Sequence, residues 1–144
     1  MDSIFLKTIK GESCQRPPVW LMRQAGRVLP RYRQLREHHS FSELMQTPEL
    51  AARVTLMPVE DLGVDAAILF NDILTIPTAM GMDLEWTERG PRFPAPLSQY
   101  QQPLKHISAR PERLDHVYQA IDCTVQQSSV PLIGFCGAPL TTLC

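Results

Sequence analysis

The chain has 144 residues, 44% of them hydrophobic, and 14 Lys and Arg against 15 Asp and Glu leave a formal net charge of -1. That is length enough for one core, the composition is ordinary for a soluble globular protein, and the near-neutral charge argues against a nucleic-acid partner. Cys14, Cys123, Cys136 and Cys144 form no CxxC pair and have no histidine at metal-ligand spacing, which argues against a zinc site or a disulfide framework and for reduced thiols.

The N-terminal run Met1 to Lys7 is too short in apolar residues for a signal peptide, and no stretch approaches transmembrane length, so nothing directs export or membrane insertion. Val19 to Met22 is the first short apolar run and reads as a strand covered on both faces. It leads into Arg23-Gln24-Ala25-Gly26-Arg27, two arginines four residues apart around an Ala-Gly break. A guanidinium is permanently charged and forks onto a carboxylate through two parallel donors, so this pattern suits a substrate rich in carboxylates. Taken singly, each arginine reads equally as a solvated or surface-paired charge. His38 and His39, beside Glu37 and Ser40, read as exposed.

Thr47-Pro48-Glu49-Leu50 reads as a helix start with Thr47 as N-cap; Leu50, Val54, Met57 and Asp61 follow at helical intervals, and Pro58 marks an interruption or kink. Ala66 to Phe70 is a second buried strand, ending in Phe70-Asn71-Asp72-Ile73-Leu74. Locally, an Asn-Asp pair there caps a helix or holds a turn. Six prolines and glycines between Met80 and Pro103 (Gly81, Gly90, Pro91, Pro94, Pro96, Pro103) predict an irregular excursion with a short hairpin about Glu88-Arg89-Gly90. A further helix begins near Arg110-Pro111-Glu112, with Leu114, Val117, Ala120, Ile121 and Val125 as its apolar stripe. It precedes a third strand, Val130 to Phe135, and the segment Gly134-Phe135-Cys136-Gly137-Ala138-Pro139-Leu140-Thr141. Alternating strands and helices imply crossover units in a parallel sheet. The methionines Met45, Met57, Met80 and Met82 read as core filler.

Three ordered motifs, the Arg23–Arg27 run, Phe70–Leu74 and Gly134–Thr141, closely resemble those of the uroporphyrinogen decarboxylases, over a span from about Pro17 to the last residue. The resemblance implies an α/β fold, the N-terminal part of a (β/α)8 TIM barrel that is incomplete in this chain, since such a barrel takes roughly 250 residues. Residues 1–144 are then the N-terminal portion of a single barrel domain, and alone such a segment would be marginal or aggregation-prone because its sheet edge is open. It also implies cofactor-independent decarboxylation of the four acetate side chains of uroporphyrinogen to coproporphyrinogen, in the cytoplasm, by an enzyme whose complete form is a homodimer. No metal, nucleic acid or membrane is involved.

By the same resemblance, Arg23 and Asp72 are catalytic, and Arg23, Gln24, Ala25, Gly26, Arg27, Tyr32 and Asp72 bind substrate. The arginines hold carboxylates, Gln24-Ala25-Gly26 let the backbone approach closely, and Asp72 accepts the pyrrole N–H groups in surroundings made apolar by Phe70, Ile73 and Leu74. Tyr32 packs against the macrocycle or, on the bland reading, on the helix surface beside Leu29 and Leu35. Gly134, Gly137 and Pro139 shape a tight strand exit, and Phe135 is available to line the cleft.

The chain departs from the family pattern at Val28, where tyrosine is usual, at Arg31, where an acidic residue is usual, and at Leu140, where a large aromatic is usual; looser packing near the cleft is expected. It also stops at Cys144, just before the family's cleft tyrosine and far before a downstream histidine. Two other readings stand: a non-catalytic truncated fragment, and a corrinoid or thiol methyltransferase relative on the same barrel, whose zinc ligands lie in the C-terminal half.

Overall fold

The computed structural model describes residues 3–21, 28–87 and 90–138. The chain divides into two compact units: Met1–Asn71 with His116–Phe135, and Asp72–Asp115 with Cys136–Cys144.

The first unit carries most of the helices. Helices α1 (Ile4–Ile9), α2 (Pro30–His38), α3 (Phe41–Gln46) and α4 (Pro48–Leu62) precede strand β1 (Ala67–Ile68). Their starts follow local chemistry. Proline opens both α2 and α4, where its missing N–H costs nothing. The Ser40 hydroxyl accepts the Glu43 N–H (3.1 Å) at the start of α3, the serine-to-glutamate spacing of a capping box. Thr47 occupies the N-cap of α4 as the sequence suggests, but its side chain makes no capping bond; its carbonyl accepts the Ala51 N–H at 2.9 Å.

Pro58 does not end α4, which continues four residues beyond it to Leu62 and stops at Gly63, whose φ of 64° suits a residue without a Cβ. A proline inside a helix costs about 3 kcal/mol. Val54, Leu56, Met57 and Pro58 itself are all buried, and full burial of such side chains contributes about 1.5–3 kcal/mol each, so packing outweighs the lost hydrogen bond.

Strand β1 pairs in parallel with β4 (Leu132–Ile133), Ala67 opposite Leu132 and Ile68 opposite Ile133. The Ala67 N–H reaches the Pro131 carbonyl (2.9 Å) and the Leu69 N–H the Ile133 carbonyl (3.0 Å). Helix α6 (Asp115–Gln127) leads into β4. The core under this pair gathers Leu29, Tyr32 and Leu35 from the α2 region, Leu44, Val54 and Met57 from α3 and α4, and Leu69, Phe70 and Ala120.

Three readings from the sequence change here. Of the expected strand Val19 to Met22, Met22 lies outside the described residues and Val19 to Leu21 is neither a strand nor covered, Val19 being 51% and Leu21 44% exposed; Val19 O accepts the Asp65 N–H (2.8 Å) and the Val19 N–H donates to the Asp65 carboxylate (2.7 Å). The helix expected from Arg110 begins as a 3₁₀ turn, Pro111–Leu114, and becomes α-helical only at Asp115. Its stripe holds at Val117, Ala120 and Ile121 but not at its end, where Val125 is 58% exposed and Thr124 is fully buried instead. The Thr124 hydroxyl donates to the Ala120 carbonyl (2.7 Å), so a threonine enters the core with its polar atom satisfied.

The second unit is the proline- and glycine-rich excursion. After α5 (Thr75–Ala79), strands β2 (Glu85–Thr87) and β3 (Gly90–Arg92) pair antiparallel with Thr87 opposite Gly90, so the expected hairpin is present; Glu88 and Arg89 lie outside the described residues. Two short 3₁₀ turns follow, Leu97–Gln99 and Pro103–His106, with the Tyr100 and His106 rings stacked 3.6 Å apart. The Ser108 N–H donates to the Met80 carbonyl at 3.0 Å, returning the excursion to α5.

Asp65 is the polar anchor of the first unit. Both of its carboxylate oxygens take the Arg16 fork (2.7 and 2.8 Å) and one also takes the Val19 N–H. The Arg16 bond, with the Val19 N–H second, holds the Asp65 carboxyl below its ordinary value. A folded-state value below the unfolded one stabilises the fold above the unfolded carboxylate value, about 4, and the effect is lost as pH falls through the folded value. Urea midpoints measured from neutral pH downward should therefore fall below about pH 4. The Asp65→Asn variant should be less stable at neutral pH and lose less on acidification. Glu43, lowered by its bond to His39, titrates in both proteins and cancels in the comparison. Parallel curves for parent and variant would mean that Asp65 contributes nothing.

Candidate active site

Arg23, Gln24, Ala25, Gly26 and Arg27 lie outside the described residues. Their flanks are described. On one side stands Val19, tied to Asp65. On the other are Val28, 75% exposed, and Leu29, buried in the core. Of the departures from the family pattern, Val28 faces solvent, Leu140 lies outside the described residues, and Arg31 has its own partners. Its guanidinium bonds Glu60 (2.6 Å) and Asp61 (2.8 Å) at the end of α4, so a basic residue here ties α2 to α4. These bonds are solvent-exposed, and pairs of that kind contribute roughly 0–1 kcal/mol.

Tyr32 is 7% exposed, with its ring edge-on to Phe70 at 6.1 Å between centroids. Phe41 meets the same Phe70 ring at 5.4 Å. Edge-to-face pairs put the positive rim of one ring on the negative face of another, worth about 0.5–1.5 kcal/mol beyond burial. Tyr32 thus lies in the core with Leu29 and Leu35, and Phe70 at the end of the β1 run joins it there.

Asp72 lies four residues past the end of β1 and is half-buried. Its Oδ1 accepts the Leu74 N–H (2.7 Å), and its carbonyl accepts the Thr75 N–H (3.3 Å) at the start of α5. This is the turn-holding role that the Asn-Asp pair suggests locally. An ionised carboxylate has about four acceptor sites, however, so one backbone N–H leaves capacity for further donors. Ile73 is exposed and Leu74 half-buried, so the surroundings are only partly apolar.

Gly134 follows β4 directly, as a strand-exit motif should, but among the described residues none demands glycine there, where a Cβ would have no heavy atom within 4 Å. Phe135 beside it is exposed, Cys136 is a free, exposed thiol, and Pro139 lies outside the described residues. His38 is exposed as expected, whereas His39 is half-buried, with its Nδ1 2.6 Å from the Glu43 carboxylate. Among the described residues no group of three or more His, Cys, Asp or Glu is placed to hold a metal, and no helix is long and apolar enough to cross a membrane.

One buried polar group of the first unit went unread in the sequence. Thr55, in the middle of α4 and fully buried, accepts the Phe70 N–H on its hydroxyl at 2.8 Å. A lone hydroxyl between Val54 and Leu56-Met57 was the available signal.

Comparison with known proteins accounts for nearly the whole chain. A family model, Uroporphyrinogen decarboxylase (URO-D), matches residues 2–144. A Uroporphyrinogen decarboxylase of Christiangramia forsetii is 46% identical over 147 residues, covering 99% of this chain and 43% of the relative. One of Chlorobium phaeobacteroides is 49% identical over 144 residues, covering 97% and 41%, and one of Legionella pneumophila is 47% identical over 149 residues, covering 99% and 42%. The chain thus spans less than half the length of these relatives. Among solved structures, a methyltransferase from Methanosarcina mazei superposes with a TM-score of 0.67 at 24% identity, over 97% of this chain and 44% of the other; that likeness shows the fold alone. The parallel β1–β4 pair and its intervening helices are α/β architecture, the N-terminal part of a TIM barrel. From the second residue to the last, this chain belongs to the uroporphyrinogen decarboxylase family.

Proposed function

We propose that the chain serves the cofactor-independent decarboxylation of uroporphyrinogen to coproporphyrinogen in heme biosynthesis, contributing part of an active site as the N-terminal portion of a single barrel domain. The observation that carries this reading is the family match over residues 2–144 on a sequence holding both the Arg23–Arg27 run and the Phe70–Leu74 motif.

Loss of carbon dioxide from an acetate arm leaves an electron pair on its methylene carbon. That pair is tolerable only if the attached pyrrole has been protonated into an electron sink, so the substrate does the work of a cofactor. Asp72 accepts hydrogen bonds from the pyrrole N–H groups and stabilises the positive charge of the protonated ring. Arg23 and Arg27 hold carboxylates through paired donors, and Gln24, Ala25 and Gly26 bring the backbone close to them. Tyr32, buried edge-on to Phe70, serves the macrocycle from behind, by holding that ring in place. The methylene carbon then takes up a proton to become a methyl group and the ring gives back the one it had gained; four rounds turn the acetates into methyl groups and leave the propionates. The complete enzyme is a cytoplasmic homodimer in this reading, and its partner is the tetrapyrrole itself.

Chromatography of porphyrinogen products tests the proposal. A complete barrel carrying this chain should convert uroporphyrinogen stepwise to the four-carboxylate product. The 144-residue polypeptide assayed alone should release no measurable carbon dioxide, because a (β/α)8 barrel takes roughly 250 residues to close its rim. Release by the short chain at a rate near that of the complete barrel would overturn the division of the site, and an inactive complete barrel would overturn the activity.

A further inference from the structure

Strand β1 runs in the sequence toward Asp72. The Ala67 and Leu69 N–H groups bond β4, at the Pro131 and Ile133 carbonyls. Alternate residues of a strand present their N–H groups to opposite edges, so the Phe70 N–H points away from β4, and there it meets the Thr55 hydroxyl on α4, 2.8 Å away. A buried N–H requires a partner, and on this edge a side chain supplies it.

The hydroxyl's two roles are assigned without ambiguity. Thr55 Oγ1 also lies 2.7 Å from the Ala51 carbonyl, one turn back, and a carbonyl can only accept. The single hydroxyl proton is therefore spent on Ala51, and a lone pair is left for Phe70. Both bonds are buried, Thr55 being 1% exposed, so water does not compete for either. The β-branched side chain has few rotamers in a helix, and the Ala51 bond selects one of them. Thr55 is thus a rigid acceptor on a rigid helix, aimed at the backbone two residues before Asp72 in the sequence. The Phe70 side chain is meanwhile clamped edge-on by Tyr32 and Phe41.

We infer that Thr55 is a positioning residue for the proposed active site: its hydroxyl fixes the backbone at Phe70 and thereby the course of the chain into Asp72. The inference rests on the reading of Asp72 as the residue that meets the tetrapyrrole.

Amide hydrogen exchange followed by NMR on the full chain tests it without substrate. Thr55→Val keeps the shape and removes the acceptor. Exchange at Phe70 should accelerate about tenfold or more beyond any change at Leu44, a core residue on α3, and Leu74, whose N–H bonds the Asp72 carboxylate, should follow Phe70. Thr55→Ser keeps the hydroxyl and should hold Phe70 within about threefold of the parent. Uniform acceleration through the core would make Thr55 a packing residue and overturn the inference, as would a change at Phe70 that leaves Leu74 untouched. Should the valine variant not fold, the serine variant still decides: loss of Phe70 protection there would assign the effect to the methyl group rather than the hydroxyl. Failure of the Asp72 reading is a separate outcome, read from turnover of the Asp72→Asn variant in a complete barrel.

Discussion

Asp72→Asn in a complete barrel carrying this chain should lower turnover of uroporphyrinogen by about 10²–10³-fold, the scale expected when a group stabilising transition-state charge is lost. Asparagine keeps the size of the side chain and an oxygen to accept the Leu74 N–H, so the turn before α5 should survive. What it removes is the negative charge. Substrate binding should weaken far less than the rate, because the charge that matters develops only once a pyrrole carbon is protonated. The measurement is kcat with KM, alongside circular dichroism to confirm the fold. If the carboxylate only holds its turn, the variant will lose at most about 1 kcal/mol of stability and keep its rate.

Arg23→Lys in the same complete barrel should cost about tenfold or more in kcat/KM, although the charge is retained. An ammonium is a point charge with rotatable donors and cannot reproduce two parallel bonds onto one carboxylate. A charge-assisted hydrogen bond contributes about 1.5–3 kcal/mol, and about 1.4 kcal/mol is a factor of ten. Arg27→Lys should show the same effect or a milder one. Steady-state kinetics across ionic strength separates this from simple attraction: parent-like turnover in both variants, with a shared salt dependence, would mean that the arginines draw substrate in without orienting it.

The residue chemistry explains which parts of the molecule could be read in advance. The start of α4 was legible because Thr47-Pro48 is a local signal acting over one turn. The hairpin was legible for the same reason: Gly90, at a φ of 116°, opens β3 opposite Thr87. Val19 to Leu21 misled because apolar composition by itself fixes neither pairing nor burial: Val19 is 51% and Leu21 44% exposed, and Val19 is held by Asp65. Of the interruption or kink that Pro58 suggests, the interruption does not occur. Its helix-breaking cost is local, whereas the burial of Val54, Leu56 and Met57 that outweighs it depends on the rest of the core.

The site divides along the same line. Arg23, Arg27 and Asp72 were identifiable as candidates because their motifs are contiguous, and the family match over residues 2–144 rests on that same linear information. Family membership, the α/β alternation and the candidate residues are therefore properties of the sequence alone. The tertiary structure decided which groups hold those elements in place. Arg16 reaches Asp65 across 49 residues, Arg31 reaches Glu60 and Asp61 across about thirty, and Thr55 reaches Phe70 across fifteen. A side-chain hydrogen bond acts over about 3 Å in space and carries no trace of sequence distance, so such partners appear only once the chain has folded.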